Sequence, residues 1–178
     1  MKSGVMVMIE AETIVSSSNE SEMPAPGGER SVHRGARADY RWNGVELKPY
    51  KEDDRALFKS ITRQVLFSDP ELDGELRYFE VAPGGFSTLE RHEHMHAVLV
   101  LRGRGDCLVG TQVKALETRD LVTVPPLTWH QFRASKGEPL GFLCMVNARR
   151  DKPQLPSAAD LAQLKTDPII AAFLSADP

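Results

Sequence analysis

Three histidines alternate in the run Glu90-Arg91-His92-Glu93-His94-Met95-His96, and a fourth, His130, follows 34 residues after His96. Imidazole nitrogens beside a carboxylate are the mixed donor set that first-row divalent metals take. In an extended strand alternate side chains share a face about 6.6 Å apart, twice the rise of ~3.3 Å per residue. Metal–imidazole bonds are only about 2.1 Å long. One ion can therefore reach two neighbours on a straight strand, and the chain must bend if this segment is to supply a third ligand. His130 must arrive from another part of the fold. The plain alternative is a set of solvated loop histidines clustered by chance; four imidazoles with carboxylates in a β-rich context weigh against it.

The surrounding pattern supplies that context. Short apolar runs separated by Gly, Pro and Asp predict strands over 61–67, 75–81, 97–101, 107–109, 112–116, 121–124, 130–132 and 140–146. Eight or more strands at this spacing mean an all-β sandwich or barrel. After Pro153, Ser157-Ala158-Ala159-Asp160 is a helix start signal, and Asp167-Pro168 opens a second helix with Ile169, Ile170, Phe173 and Leu174 on one face. The expected organisation is a flexible tail over 1–39, a β-barrel over 40–150 and a helical extension over 151–178 that packs on the barrel. Residues 10–39 are too poor in apolar side chains to offset their ordering entropy, and structure is expected to begin near Tyr40.

The 178 residues suit one domain, and 22 basic against 25 acidic side chains give a net charge of −3. Such a chain has no overall basic field to attract nucleic acid. Two cysteines, Cys107 and Cys144, are too few for a disulfide framework and fit a reducing cytoplasm. The apolar run from Val5 to Ile9 stops at Glu10, too short for an export signal, and no run is long enough to cross a bilayer. A cytoplasmic location is expected.

Two motifs carry a resemblance to the cupins, small jelly-roll β-barrels that hold one metal in the barrel mouth. The first spans Pro83 to Gly105 and contains the histidine run; the second spans Asp120 to Arg133, with His130 five positions after Pro125. Counting forward from Gly84 and back from Gly103, the resemblance implies Glu90, His92, His96 and His130 as ligands. The sequence departs from the family pattern by exchanging the glutamate and histidine places, and by Arg119, Leu127 and Ala134 where Gly, Gly and Asn are usual. If the bend falls two residues later, His92 and His94 become the pair and Glu90 leaves. Three histidines and a carboxylate leave open positions on a six-coordinate ion, and Mn(II), Fe(II), Ni(II) or Zn(II) could occupy it. Trp129, Gln131 and Arg133 are candidates for the rim, and Arg63, Arg77, Arg102 and Arg104 for an anionic group on the substrate.

Four segments, 41–46, 76–81, 130–134 and 141–147, are also similar to a narrower group of cupins, the methylthiotransferases that act on S-methyl-1-thioxylulose 5-phosphate. That resemblance implies Mn(II), a small-molecule substrate with glutathione as acceptor of the methylthio group, and release of 1-deoxyxylulose 5-phosphate within methylthioadenosine salvage. It leaves His94 or Glu93 as proton donor, and Cys107 or Cys144 as a relay nucleophile, with buried apolar filler as the plainer role of either thiol. Two other readings stand beside it, an Fe(II) dioxygenase and a cupin that binds a sugar or anion without turnover. Cupins commonly pair, so the resemblance also implies a homodimer, and it gives no reason to expect nucleic acid or membrane partners.

Overall fold

The computed structural model describes residues 33–50 and 58–175. The chain divides into the units Met1–His33 and Arg34–Pro178, and every element below belongs to the second. Most of the tail expected over 1–39 lies outside the described residues. Its last part carries hydrogen-bonded structure earlier than expected: Ala36 bridges Trp42, and Arg37 N donates to Arg41 O at 2.8 Å. The reason is a packing site further along the chain, because the Tyr40 and Trp42 rings lie 5.8 and 5.1 Å from that of Tyr78.

Nine strands follow in chain order: β1 (Lys48–Pro49), β2 (Lys59–Asp69), β3 (Gly74–Phe86), β4 (His96–Gly103), β5 (Gly105–Val109), β6 (Gln112–Leu116), β7 (Leu121–Val124), β8 (His130–Ala134) and β9 (Leu140–Asn147). They form one antiparallel sheet in the order β6-β5-β8-β3-β9-β4-β7, with β2 on the far side of β3 and β1 beyond it. Strand β3 makes the sheet curl. Residues 74–81 pair with β9 on one side and β2 on the other, while Phe86 at its end pairs with Arg133 of β8. The sheet thus curls into an antiparallel half-barrel of the jelly-roll kind expected. The turn from β4 to β5 passes through Gly103 at φ +72°, where a Cβ would overlap the Pro139 carbonyl, so only glycine fits.

Burial along β4 and β9 alternates with the two-residue period of a strand. His96, Val98 and Val100 point inward, as do Phe142, Cys144 and Val146. The inner face holds the main core, where Phe142 lies 5.5 Å from Phe79 and 5.0 Å from Phe132 between ring centres. Each such side chain contributes roughly 1.5–3 kcal/mol by leaving water. The two helices are present where the start signals place them, α1 at Ala158–Leu164 and α2 at Pro168–Ser175. Ser157 and Asp160 close a reciprocal capping box, and Ile170 and Phe173 join Leu89 and Leu108 in a second core on the outside of the sheet. Among the described residues no helix is long and apolar enough to cross a membrane.

Candidate metal centre

Two backbone devices bring the separated histidines together. Glu90 and His130 form an antiparallel bridge, with Glu90 N donating to His130 O at 3.2 Å and His130 N to Glu90 O at 3.0 Å. Leu127 N then donates to His92 O at 2.7 Å, tying the second segment to the first. After His92 the backbone bends at Glu93 and His94 before β4 begins at His96. This is the bend that three ligands from one segment require. The rings consequently gather: His92 lies 3.7 Å from His94, 4.3 Å from His96 and 4.8 Å from His130, centre to centre.

The donor atoms fall into two overlapping triads, Glu90–His92–His130 and His92–His94–His96, each with its atoms within 4.8 Å of one another. The two registers that the sequence leaves open are thus both partly realised, with His92 common to each. His94 adjoins the expected set because the bend turns its ring back against His92.

The ring nitrogens are sorted by their partners. His92 Nδ1 donates to His94 O at 2.7 Å, and His130 Nδ1 donates to Thr128 O at 3.0 Å. A proton on Nδ1 leaves the lone pair on Nε2, the form in which imidazole binds a metal. His96 Nδ1 contacts Cys144 Sγ at 3.5 Å, and His94 Nδ1 donates to Asp151 Oδ1 at 2.6 Å. His92 Nε2 and His96 Nε2 are buried and have no hydrogen-bond partner. Burial, then the neighbouring His130, holds His92 down to about 4, and the same causes lower His96. Both rings are therefore neutral near pH 7, as ligands must be. Two buried, unpaired nitrogens beside a carboxylate fit one divalent ion, since a buried polar atom without a partner is otherwise costly.

These groups line a cavity of about 240 Å³. Several of its residues have no signal in the local sequence. Tyr50 donates its hydroxyl to Glu90 Oε1 at 3.1 Å, and burial together with Glu90 raises its pKa. Asp151 anchors the bend by accepting from Glu93 N at 2.9 Å as well as from His94. Against the cost of partial burial, these bonds lower its carboxyl to about 2. Arg150 and Pro153 also reach the cavity, although they follow β9 by only a few residues. A partner some 57 residues from the histidine it orients could not have been found by spacing.

Other sequence candidates lie elsewhere. Cys107 does not line this cavity: it faces Phe132 from β5, packs in the core, and its thiol is pushed up to about 11, by burial first. Cys144 does line it. Trp129, Gln131 and Arg133 also miss it, because in β8 the alternation turns His130 and Phe132 inward and their neighbours outward. Trp129 packs beneath the helices with Arg91 over its ring, Gln131 donates to Ser87 O, and Arg133 covers Phe86 and Phe173. Arg102 pairs with Glu80 and Arg104 is exposed, whereas Arg63 and Arg77 do reach the cavity. Glu93 is exposed.

Residues 77–146 match the Cupin domain family. A solved cupin 2 conserved barrel domain protein from Rhodopseudomonas palustris superposes with a TM-score of 0.76 at 56% identity, covering 80% of this chain and 98% of that one. This chain is a cupin. A cupin-2 domain from Rhodospirillum rubrum matches it with a TM-score of 0.73 at 61% identity, over 80% of this chain and 95% of that structure. The cupin is also 63% identical over 137 residues to a Rhodospirillum rubrum protein named 1-methylthio-D-xylulose 5-phosphate methylsulfurylase, spanning 77% of this chain and 88% of that protein.

Proposed function

We propose that this cupin is a metal-dependent enzyme that moves the methylthio group of S-methyl-1-thioxylulose 5-phosphate to glutathione and releases 1-deoxyxylulose 5-phosphate. The observation that carries the reading is the 63% identity to the methylsulfurylase of that substrate. The cavity chemistry supports it. Glu90, His92, His96 and His130 would hold one divalent ion, Mn(II) in our reading. When bound, the ion supplies a Lewis acid for a carbonyl oxygen, lowering the energy of an enolate.

The reaction balances without any further oxidant. The glutathione thiolate attacks the methylthio sulfur and forms the new S–S bond. The carbon–sulfur bond breaks with its electron pair left on carbon, next to the ketone. The resulting enolate takes one proton at that carbon, giving the methyl ketone and a methyl glutathionyl disulfide. His94 lines the cavity with its Nδ1 held by Asp151, and in this reading its Nε2 carries that proton. Cys144 supports the His96 ring. Phe79, Phe132 and Phe142 give the same cavity an apolar wall.

Incubating the metal-loaded protein with methylthioxylulose phosphate and glutathione should yield the mixed disulfide and 1-deoxyxylulose 5-phosphate in equal amounts, without oxygen uptake. No product from fully metallated protein would overturn the reading. Turnover should require the ion, and chelation should abolish it. We also place the protein in the cytoplasm as a homodimer, which light scattering can check.

A further inference from the structure

Four side-chain nitrogens among the described residues are buried without a hydrogen-bond partner, and all four belong to residues lining the one cavity. They are of two chemical kinds. His92 Nε2 and His96 Nε2 offer lone pairs to a cation. Arg63 Nε and Arg77 Nε are N–H donors, and donors in a cavity call for an acceptor.

The arginines occupy diagonal positions on neighbouring strands, since Arg63 faces Phe79 and Arg77 faces Val65 in the β2–β3 register. Arg77 is only 7% exposed. Its Nε lies 3.6 Å from Glu75 Oε1, too long for a hydrogen bond. A third guanidinium, Arg150, lines the same cavity with Nη2 3.0 Å from that carboxylate oxygen. Glu75 is thus shared by two of three cations. The carboxylates lining the cavity are already engaged, Glu90 by the Tyr50 hydroxyl and Asp151 by His94. Cys144 Sγ lies 3.4 Å from Arg77 Nη2 and 3.5 Å from His96 Nδ1, so the two kinds of group adjoin within the cavity. A small molecule can therefore span both ends.

We propose that Arg63, Arg77 and Arg150 form a subsite for a phosphate monoester, gripping the substrate by its phosphate while the rest reaches the imidazoles. Three guanidiniums against one shared carboxylate match a group carrying about −1.5 to −2 charges near pH 7. Their planar forks suit its several terminal oxygens better than a single carboxylate's two. The subsite deepens the function proposed above and rests on it for the identity of the rest of the substrate.

Calorimetry on the full-length, metal-loaded protein with inorganic phosphate as probe tests the subsite. Saturable binding is expected, with acetate at least tenfold weaker. Arg63→Gln and Arg150→Gln should each weaken phosphate at least tenfold at unchanged metal content, while Arg104→Gln, on the exposed surface, should not. Arg77→Gln should do the same; if that buried change costs the cooperative melt, the other two variants decide. Equal phosphate affinity in Arg63→Gln and Arg104→Gln would overturn the subsite, as would acetate binding as tightly as phosphate. With methylthioxylulose phosphate, Arg63→Gln should raise KM at least tenfold and alter kcat less than threefold. Turnover with KM unmoved would sink the subsite and leave the reaction standing. Arginine-dependent phosphate binding without turnover would do the reverse.

Discussion

Two hollows of the cupin differ in size and in chemistry, and the larger is the less interesting chemically. The space beside Cys107, between β5, β6 and β7, measures about 640 Å³, against about 240 Å³ for the cavity beside Cys144. Both thiols are buried to the same degree, 2% exposed. Among the described residues, however, every buried side-chain nitrogen or oxygen lacking a partner lines the smaller cavity. Volume alone therefore does not mark a site in this fold. Polar groups kept dry and unpaired do, because their desolvation is offset only when a ligand arrives.

The largest expected effect breaks that contrast at its shared ligand. His92→Ala should lower metal affinity by ~100-fold or more, the upper end of what even supporting residues cost. Elemental analysis of the purified variant checks it, and near-stoichiometric metal would remove His92 from the proposed ligand set. His130→Ala should behave alike. His94→Ala should keep its metal yet lose ~10²-fold in turnover, the usual scale for a proton carrier; equal loss of metal would instead make His94 a ligand.

The contrast also has a pH signature in the metal-free protein. An unfolded histidine takes up a proton near its ordinary value of 6.5, whereas folded His92 resists protonation down to about 4. Between those values the unfolded chain binds more protons, so stability must fall as pH drops through that window. His96, lowered too, extends the loss to more acid conditions. Urea unfolding at pH 7.5 and 5.0 should show the decrease, and equal stability would mean the folded rings accept protons. The smallest effect belongs to the larger hollow: Cys107→Ala should cost about 1 kcal/mol of stability and leave turnover unchanged. A large loss of turnover would restore Cys107 as a reacting group.

Much of this was legible along the chain because the signals are local. Alternation in 97–101 and 140–146 marks β4 and β9, and Ser157-x-x-Asp160 marks the start of α1, since each depends on neighbours within a few residues. The convergence of His92 and His130 was readable through the two motifs that flank them. Asp151, Tyr50 and Arg150 were not, because nothing in their neighbours says which histidine or carboxylate they will meet. The two cysteines show the same limit. Both sit in the main core at inward positions of apolar strands, so strand parity cannot separate them, and only the curl of the sheet brings Cys144 against an imidazole.

Residue type and local spacing determined by themselves that this chain would make an all-β sandwich or barrel, follow it with two helices and carry a cluster of groups able to hold a metal. The choice among those groups belonged to the tertiary structure. The bend after His92, the bridge between Glu90 and His130, and the place of Asp151 and the arginines each depend on contacts between segments far apart in sequence. Side-chain chemistry is written residue by residue, but which nitrogens remain dry and unpaired is settled only when distant strands close around them.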